Sequence, residues 1–215
     1  RAEADEHIAA LSSETARIPL KACEYSMGHA SQCVEKYLEL TGMGPTSLKT
    51  VATPCIDDHL LPAEDFEERG ILHKDCSRIV LKVLYLARIL RLDLLWSVNT
   101  LAREVHKWSV ACDKRLHRLI SYLNCTLDYV QTCFVGDNVD SCALVLFADA
   151  SFAGDLRDSK STSGGYLCLM GPNTFVPITS LCKKQGPVSH SSSEAEIVSL
   201  DANLRMDGLP GLILW

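Results

Sequence analysis

No apolar run in the 215 residues reaches the roughly 18 that a membrane-spanning helix needs, so no part of the chain reads as a helical span. There is no C-x-x-C pair, although cysteines stand at 23, 33, 55, 76, 112, 125, 133, 142, 168 and 182. That spacing excludes paired ligand sets of the zinc-finger kind. Several of these cysteines lie inside apolar runs, as Cys168 does in Tyr166-Leu167-Cys168-Leu169-Met170. They read as small buried hydrophobes in a reducing compartment. No G-x-S-x-G elbow or oriented acid accompanies Ser189-His190-Ser191, which leaves a serine hydrolase without its machinery. No internal repeat is evident. Arg1 is followed by no apolar signal segment, so the expectation is a chain with an internal start and no secretory address, placed in the cytoplasm or nucleus. A surplus of positive charge is missing too: 21 Lys and Arg stand against 27 Asp and Glu, a net of −6. That balance argues against a protein that coats nucleic acid with its whole surface, because neutralising phosphate needs a basic one.

The charge is unevenly spread. Residues 1–70 carry 6 basic and 13 acidic side chains, 71–141 carry 10 and 7, and 142–215 carry 5 and 7. The basic middle block keeps a local nucleic-acid role open, with solvated faces of amphipathic helices as the alternative.

Punctuation and period divide the chain further. Residues 2–16 are polar with good helix formers, a surface helix or a tail. Residues 33–40 predict a short helix, stopped by Thr41-Gly42-Met43-Gly44-Pro45. Between 45 and 70, Pro54, Pro62 and the cluster Glu64-Asp65-Phe66-Glu67-Glu68 predict an extended acidic linker. Three amphipathic helices follow. The first, 76–91, carries Ile79, Val80, Val83, Leu84, Ala87 and Leu90 at helical spacing. The second starts near Asp93, whose carboxylate suits the unpaired N–H groups of a helix start. The third, about 113–124, sets Leu116, Leu119, Ile120 and Leu123 at i, i+3, i+4 and i+7. Three stripes need one shared core, so this stretch reads as a helical subdomain.

After about residue 139 the period changes. The run Cys142-Ala143-Leu144-Val145-Leu146-Phe147-Ala148 ends at Asp149 and fits a central strand. Residues 164–170 and 176–181 predict two more strands around the turn Gly171-Pro172-Asn173. Ser191, Ser192 and Ser193 then offer N-caps for a helix beginning near Glu194. A strand meander followed by a helix is an α+β arrangement. Asp149 alone is a strand-to-turn residue, and Glu196 alone compensates a helix dipole. Together, a strand carboxylate and a helix carboxylate supply the oxygen ligands that Mg²⁺ prefers.

The blocks around them are more telling. Phe147-Ala148-Asp149-Ala150-Ser151-Phe152-Ala153-Gly154-Asp155 is followed by Ser159-Lys160-Ser161-Thr162-Ser163-Gly164-Gly165-Tyr166, Cys182-Lys183-Lys184-Gln185 and Ser191-Ser192-Ser193-Glu194-Ala195-Glu196. In order and spacing these blocks resemble the ribonuclease H domain of copia-type retrotransposon Pol polyproteins. Upstream, Leu84-Tyr85-Leu86, Arg91-Leu92-Asp93 and Leu119-Ile120-Ser121-Tyr122-Leu123 look like the helical connection before that domain. The stretch 33–40 and Val51-Ala52-Thr53-Pro54 look like the end of the reverse-transcriptase region and its linker.

The resemblance implies an α+β chain in three parts. Residues 1–75 would be the end of the reverse-transcriptase region with the acidic linker, and 76–138 a helical connection subdomain. Residues 139–215 would be a truncated ribonuclease H-like three-stranded meander plus helix. It implies metal-dependent hydrolysis of RNA in RNA–DNA hybrids, with Mg²⁺ or Mn²⁺ held by Asp149 and Glu196, the catalytic pair. Two such ions about 4 Å apart can activate water and stabilise the leaving oxygen. Lys183, Lys184, Ser191, Ser192 and Ser193 would line the nucleic-acid backbone. The partners would be the hybrid and the remaining Pol polyprotein with its reverse transcriptase, with no membrane involved. Departures from the family are specific. Ser151 stands where the family often reads Asp, and Leu92 replaces the proline of Arg-Pro-Asp. The family's other two metal-binding carboxylates are expected after Trp215, with Asp201 and Asp207 poor substitutes. Half a carboxylate set implies weak metal binding, and half a sheet an open apolar edge. The alternative is a catalytically inactive remnant that keeps nucleic-acid or protein contacts.

Overall fold

The computed structural model describes residues 21–25, 28–155 and 158–215, the first five by their backbone. The polar segment 2–16 lies outside the described residues. The chain divides into two compact units, Tyr25–Gln131 and a second made of Thr132–Trp215 with the residues up to Glu24.

The helical unit contains α1 (His29–Thr41), the single turn α2 (Glu64–Glu67), α3 (Cys76–Ile89), α4 (Leu95–Arg103) and α5 (Val110–Cys125). The stripes seen in the sequence meet as expected. Ile79, Val80, Val83, Val98, Leu116, Leu119, Ile120 and Leu123 are all fully buried. Leu84, expected in the stripe, is half-buried, and Leu86 fills the core instead. Helix α1 ends at Gly42, which takes the left-handed φ of 67°. It packs on α3 and α5. Residues on both sides of position 76 thus belong to the same compact unit.

The acidic stretch 45–70 is also no free linker. It folds back on α5, where Asp58 pairs with Arg115 and Asp65 with Lys114. Arg118 Nε donates to the Thr53 carbonyl at 2.8 Å. Opposite charge on the two segments explains the docking, since α5 carries cations where the loop carries carboxylates. Gly70 is needed by close approach, because a β-carbon there would sit 2.5 Å from the Ser109 carbonyl oxygen. Asp93 corrects a second expectation. Its carboxylate does not cap a helix start but accepts from Arg91 Nε at 3.0 Å and Nη2 at 2.8 Å, while α4 begins at Leu95 after a short 3₁₀ turn.

The second unit is a sheet with one helical layer. Its strands are β1 (Lys21–Tyr25), β2 (Gln131–Val135), β3 (Ala143–Ser151), β4 (Thr162–Gly171) and β5 (Thr174–Lys184), in the order β1-β2-β5-β4-β3. The β3–β4, β4–β5 and β2–β5 pairs are antiparallel. The three meander strands match expectation, but β3 is an edge strand rather than a central one. Helix α6 (Ser192–Asn203) lies on β3 and β4 and continues through a π-turn, Leu204–Gly208, into α7 (Leu209–Leu214). Of the apolar residues in this unit, Cys133, Leu167, Cys168 and Ala195 are buried. Phe147, Ile197, Leu200, Leu209, Leu212 and Ile213 remain exposed. Among the described residues no helix is long and apolar enough to cross a membrane. Of the nine cysteines among the described residues, Cys33, Cys76, Cys112, Cys133 and Cys168 are buried, and the other four are not.

Candidate metal and nucleic-acid site

The register of β3 and β4 decides where the candidate side chains point. Asp149 pairs with Gly164, Ala148 with Gly165 and Ala150 with Ser163. A β-carbon on Gly165 would fall 1.4 Å from Asn203 Oδ1, so Gly165 faces the helix. Ser163 faces it as well, because its Oγ accepts from Gln185 Nε2 at 3.0 Å, and the same nitrogen donates to the Ala195 carbonyl of α6 at 2.8 Å. Partners across an antiparallel pair share a face, and neighbours along a strand alternate. Ala148 and Ala150 thus meet the helix, and the exposed Asp149 side chain stands on the opposite face of the sheet.

Asp149 nevertheless touches α6 through its backbone. Ser199 Oγ donates to the Asp149 carbonyl at 2.6 Å and is 3.3 Å from the Gly164 carbonyl. Asn203 Nδ2 donates to the Gly164 carbonyl at 2.9 Å. Glu196 lies one turn before Ser199 and is exposed. The fold therefore brings the helix of Glu196 onto the strand of Asp149, while strand alternation turns the Asp149 side chain to the face of the sheet away from that helix. Among the described residues no group of three or more His, Cys, Asp or Glu converges to hold a metal ion.

The basic and hydroxyl groups also divide. Lys183 is exposed at the end of β5. Lys184 is half-buried and held at 2.5 Å by Asp155 and 2.8 Å by Asp158. Burial works to lower its pKa, but the two carboxylates outweigh that and raise it. The Lys184 hydrogen bond in turn lowers that of Asp158. The Lys184 charge is thus neutralised within the protein, which leaves Lys183 as the outward-facing cation of the pair. Ser191 caps α6 by accepting from the Glu194 N–H at 3.1 Å, and the Glu194 carboxylate accepts from the His190 N–H at 2.7 Å. Ser192 and Ser193 are exposed in the first turn. Ser189 is buried and donates to Gln185 Oε1 at 3.2 Å, an arrangement that organises the loop.

Of the three residues that organise this region, the sequence reading took in Gln185 only as the end of a motif block and passed over Ser199 and Asn203. Gln185 joins β4, the loop before α6 and the helix itself. Ser199 and Asn203 do the same for β3 and β4. The available signal was a polar i, i+4 pair on a helix whose other spacing suggested an apolar stripe. Searches of known family models, curated proteins and solved structures found no match for this chain.

Proposed function

We propose that this chain is a segment of a retrotransposon-type Pol polyprotein, in which a helical connection unit precedes a ribonuclease H-like meander and helix. Its role is to bind RNA–DNA hybrid, with the chemistry of hydrolysis incomplete in these residues. The observation that supports this reading most is the order β3-β4-β5-α6, with α6 capped at Ser191 and seated on the strand that carries Asp149. That is the order the motif blocks imply. Lys183 and the exposed hydroxyls of Ser192 and Ser193 are the groups that would meet phosphate. Hybrid would be told from duplex DNA by contacts to 2′-hydroxyls across a wide minor groove. The Asp149 side chain, on the face of the sheet away from α6, favours binding over cleavage. In the family reading Asp149 and Glu196 are the Mg²⁺ or Mn²⁺ ligands.

The test is a hybrid-binding titration on the full chain at several salt concentrations, beside a cleavage assay in Mg²⁺ and in Mn²⁺. Binding to hybrid that weakens steeply with salt, without RNA cleavage, is expected. Lys183→Ala is expected to weaken binding and flatten the salt dependence. Metal-dependent cleavage that disappears in Asp149→Asn and Glu196→Gln would replace this reading with that of a complete enzyme. No salt-sensitive hybrid binding would remove it altogether.

A further inference from the structure

The helical unit holds a cavity of about 560 Å³ that the nucleic-acid reading does not use. It lies among the C-terminal turns of α1, the 43–56 loop, residues 71–72 and one face of α5. Its walls are largely apolar: Met43, Val51, Ile56, Ile71, Leu72 and Val110. A cleft of this size, with apolar walls and few polar groups, is what small organic ligands occupy.

Most of the polar groups around it already have partners. Asp113 accepts from the Ile71 N–H at 2.5 Å, the Leu72 N–H at 3.3 Å and Trp108 Nε1 at 2.7 Å. Three N–H groups thereby absorb its negative charge. Lys114 is paired with Asp65, and Arg118 is held by Thr53. Two groups remain. Lys49 lines the cavity and makes no ion pair or side-chain hydrogen bond among the described residues. His117 Nδ1 lies 2.8 Å from the hydroxyl of the buried Tyr37. Burial, and secondarily the charge of Asp113, push the Tyr37 phenol up to about 12, so it keeps its proton, and its hydroxyl also lies 3.9 Å from Met43 Sδ. The cavity thus presents apolar walls, an ammonium group and an imidazole.

We propose that this cavity binds an apolar carboxylic acid, with the hydrocarbon against the Val51, Ile56 and Val110 walls and the carboxylate at the Lys49 ammonium. A carboxylate meets the Lys49 ammonium with a charge-assisted hydrogen bond, which is the strong kind. An alcohol of equal length keeps the burial and loses the ionic part. An alkylammonium is repelled by Lys49.

The experiment is calorimetric titration of the full chain with octanoate, 1-octanol and octylammonium, each below its micellar range. Octanoate is expected to bind once per chain, about tenfold tighter than 1-octanol, with octylammonium not bound. Lys49 is exposed, so Lys49→Ala should fold normally, and it should reduce octanoate affinity to that of the alcohol while leaving 1-octanol unchanged. Val51→Trp fills the cavity and should abolish both, with circular dichroism confirming the fold. Equal affinity for octanoate and 1-octanol would overturn the proposal. So would octanoate binding that survives both variants, or no saturable binding of any of the three.

Discussion

The Ser199 hydroxyl donates to the Asp149 backbone carbonyl at 2.6 Å, so the helix and the edge strand are joined by a polar bond where an apolar contact would be usual. Asn203, one turn further on, extends the seam with bonds to the Gly164 and Ser199 carbonyls at 2.9 and 2.8 Å. Its Oδ1 takes the space a β-carbon on Gly165 would need. Gly165→Ala is therefore expected to cost about 1–3 kcal/mol through overpacking. Asn203→Ala should cost about 1–3 kcal/mol through lost buried hydrogen bonds. In the double variant the added methyl has room, so the combined loss should fall at least about 1 kcal/mol short of the sum. Urea denaturation of the four proteins measures this, and strict additivity would contradict the packing described.

Arg91 is buried and serves two partners at once. It donates to the Thr126 carbonyl and hydroxyl at 2.8 and 2.7 Å and to both oxygens of Asp93. Its guanidinium also lies 5.1 Å from the Tyr129 ring centre. A lysine has neither the planar fork nor the stacking face. Arg91→Lys is expected to cost about 2–3 kcal/mol, since buried partners lose their donors. Asp93→Asn should cost about 1 kcal/mol or less, because that carboxylate is a third exposed and screened by water. Equal losses for the two variants in thermal or urea unfolding would show that the bonds to Thr126 contribute little.

The helical unit should lose stability at alkaline pH for a definite reason. Burial pushes the Cys33 thiol from 9.0 up to about 11 and the Tyr37 phenol from 10.0 up to about 12. Below pH 9 both groups are protonated whether the chain is folded or not, so their contribution is constant. Above it the unfolded chain releases protons that the folded one retains, and stability falls as pH rises toward the folded values. A loss of about 2–3 kcal/mol for each group is expected across its own window. Urea midpoints measured from pH 8 to pH 11 should decline, and Cys33→Ala should flatten the first part of that decline. An unchanged slope in Cys33→Ala would remove the thiol from the account.

Much of the fold could be read from period alone. Ile79, Val83, Leu116, Leu119 and Leu123 lie on stripes of helical spacing, and such stripes need no knowledge of the partner to be recognised. Strand existence was legible for the same reason in β3, β4 and β5. Strand order was not. Whether Leu144 to Ala148 occupies the middle of a sheet or its rim depends on what pairs beyond it, which no local pattern records. Strand β2 escaped notice because Gln131-Thr132-Cys133-Phe134-Val135 is short and mixed in polarity. The docking of Asp58 and Asp65 on α5 joins residues about 50 positions apart, so an acidic stretch that looked like a linker was in fact a packed edge. The candidate site was legible by residue type and spacing. Which side of the sheet Asp149 takes was not, because it follows from Ser163 and Gly165 facing α6.

The edge position of β3 has one more consequence. Ala143-Leu144-Val145-Leu146-Phe147-Ala148 contains no charge and no proline, and among the described residues one of its two rows of backbone N–H and C=O groups has no neighbouring strand. Six residues of that kind are what cross-β fibrils stack. An uncharged edge of that length is where a second strand can pair, and its first charge on that rim is Asp149. That aspartate acts as a gatekeeper for solubility whether or not it ever meets a metal ion.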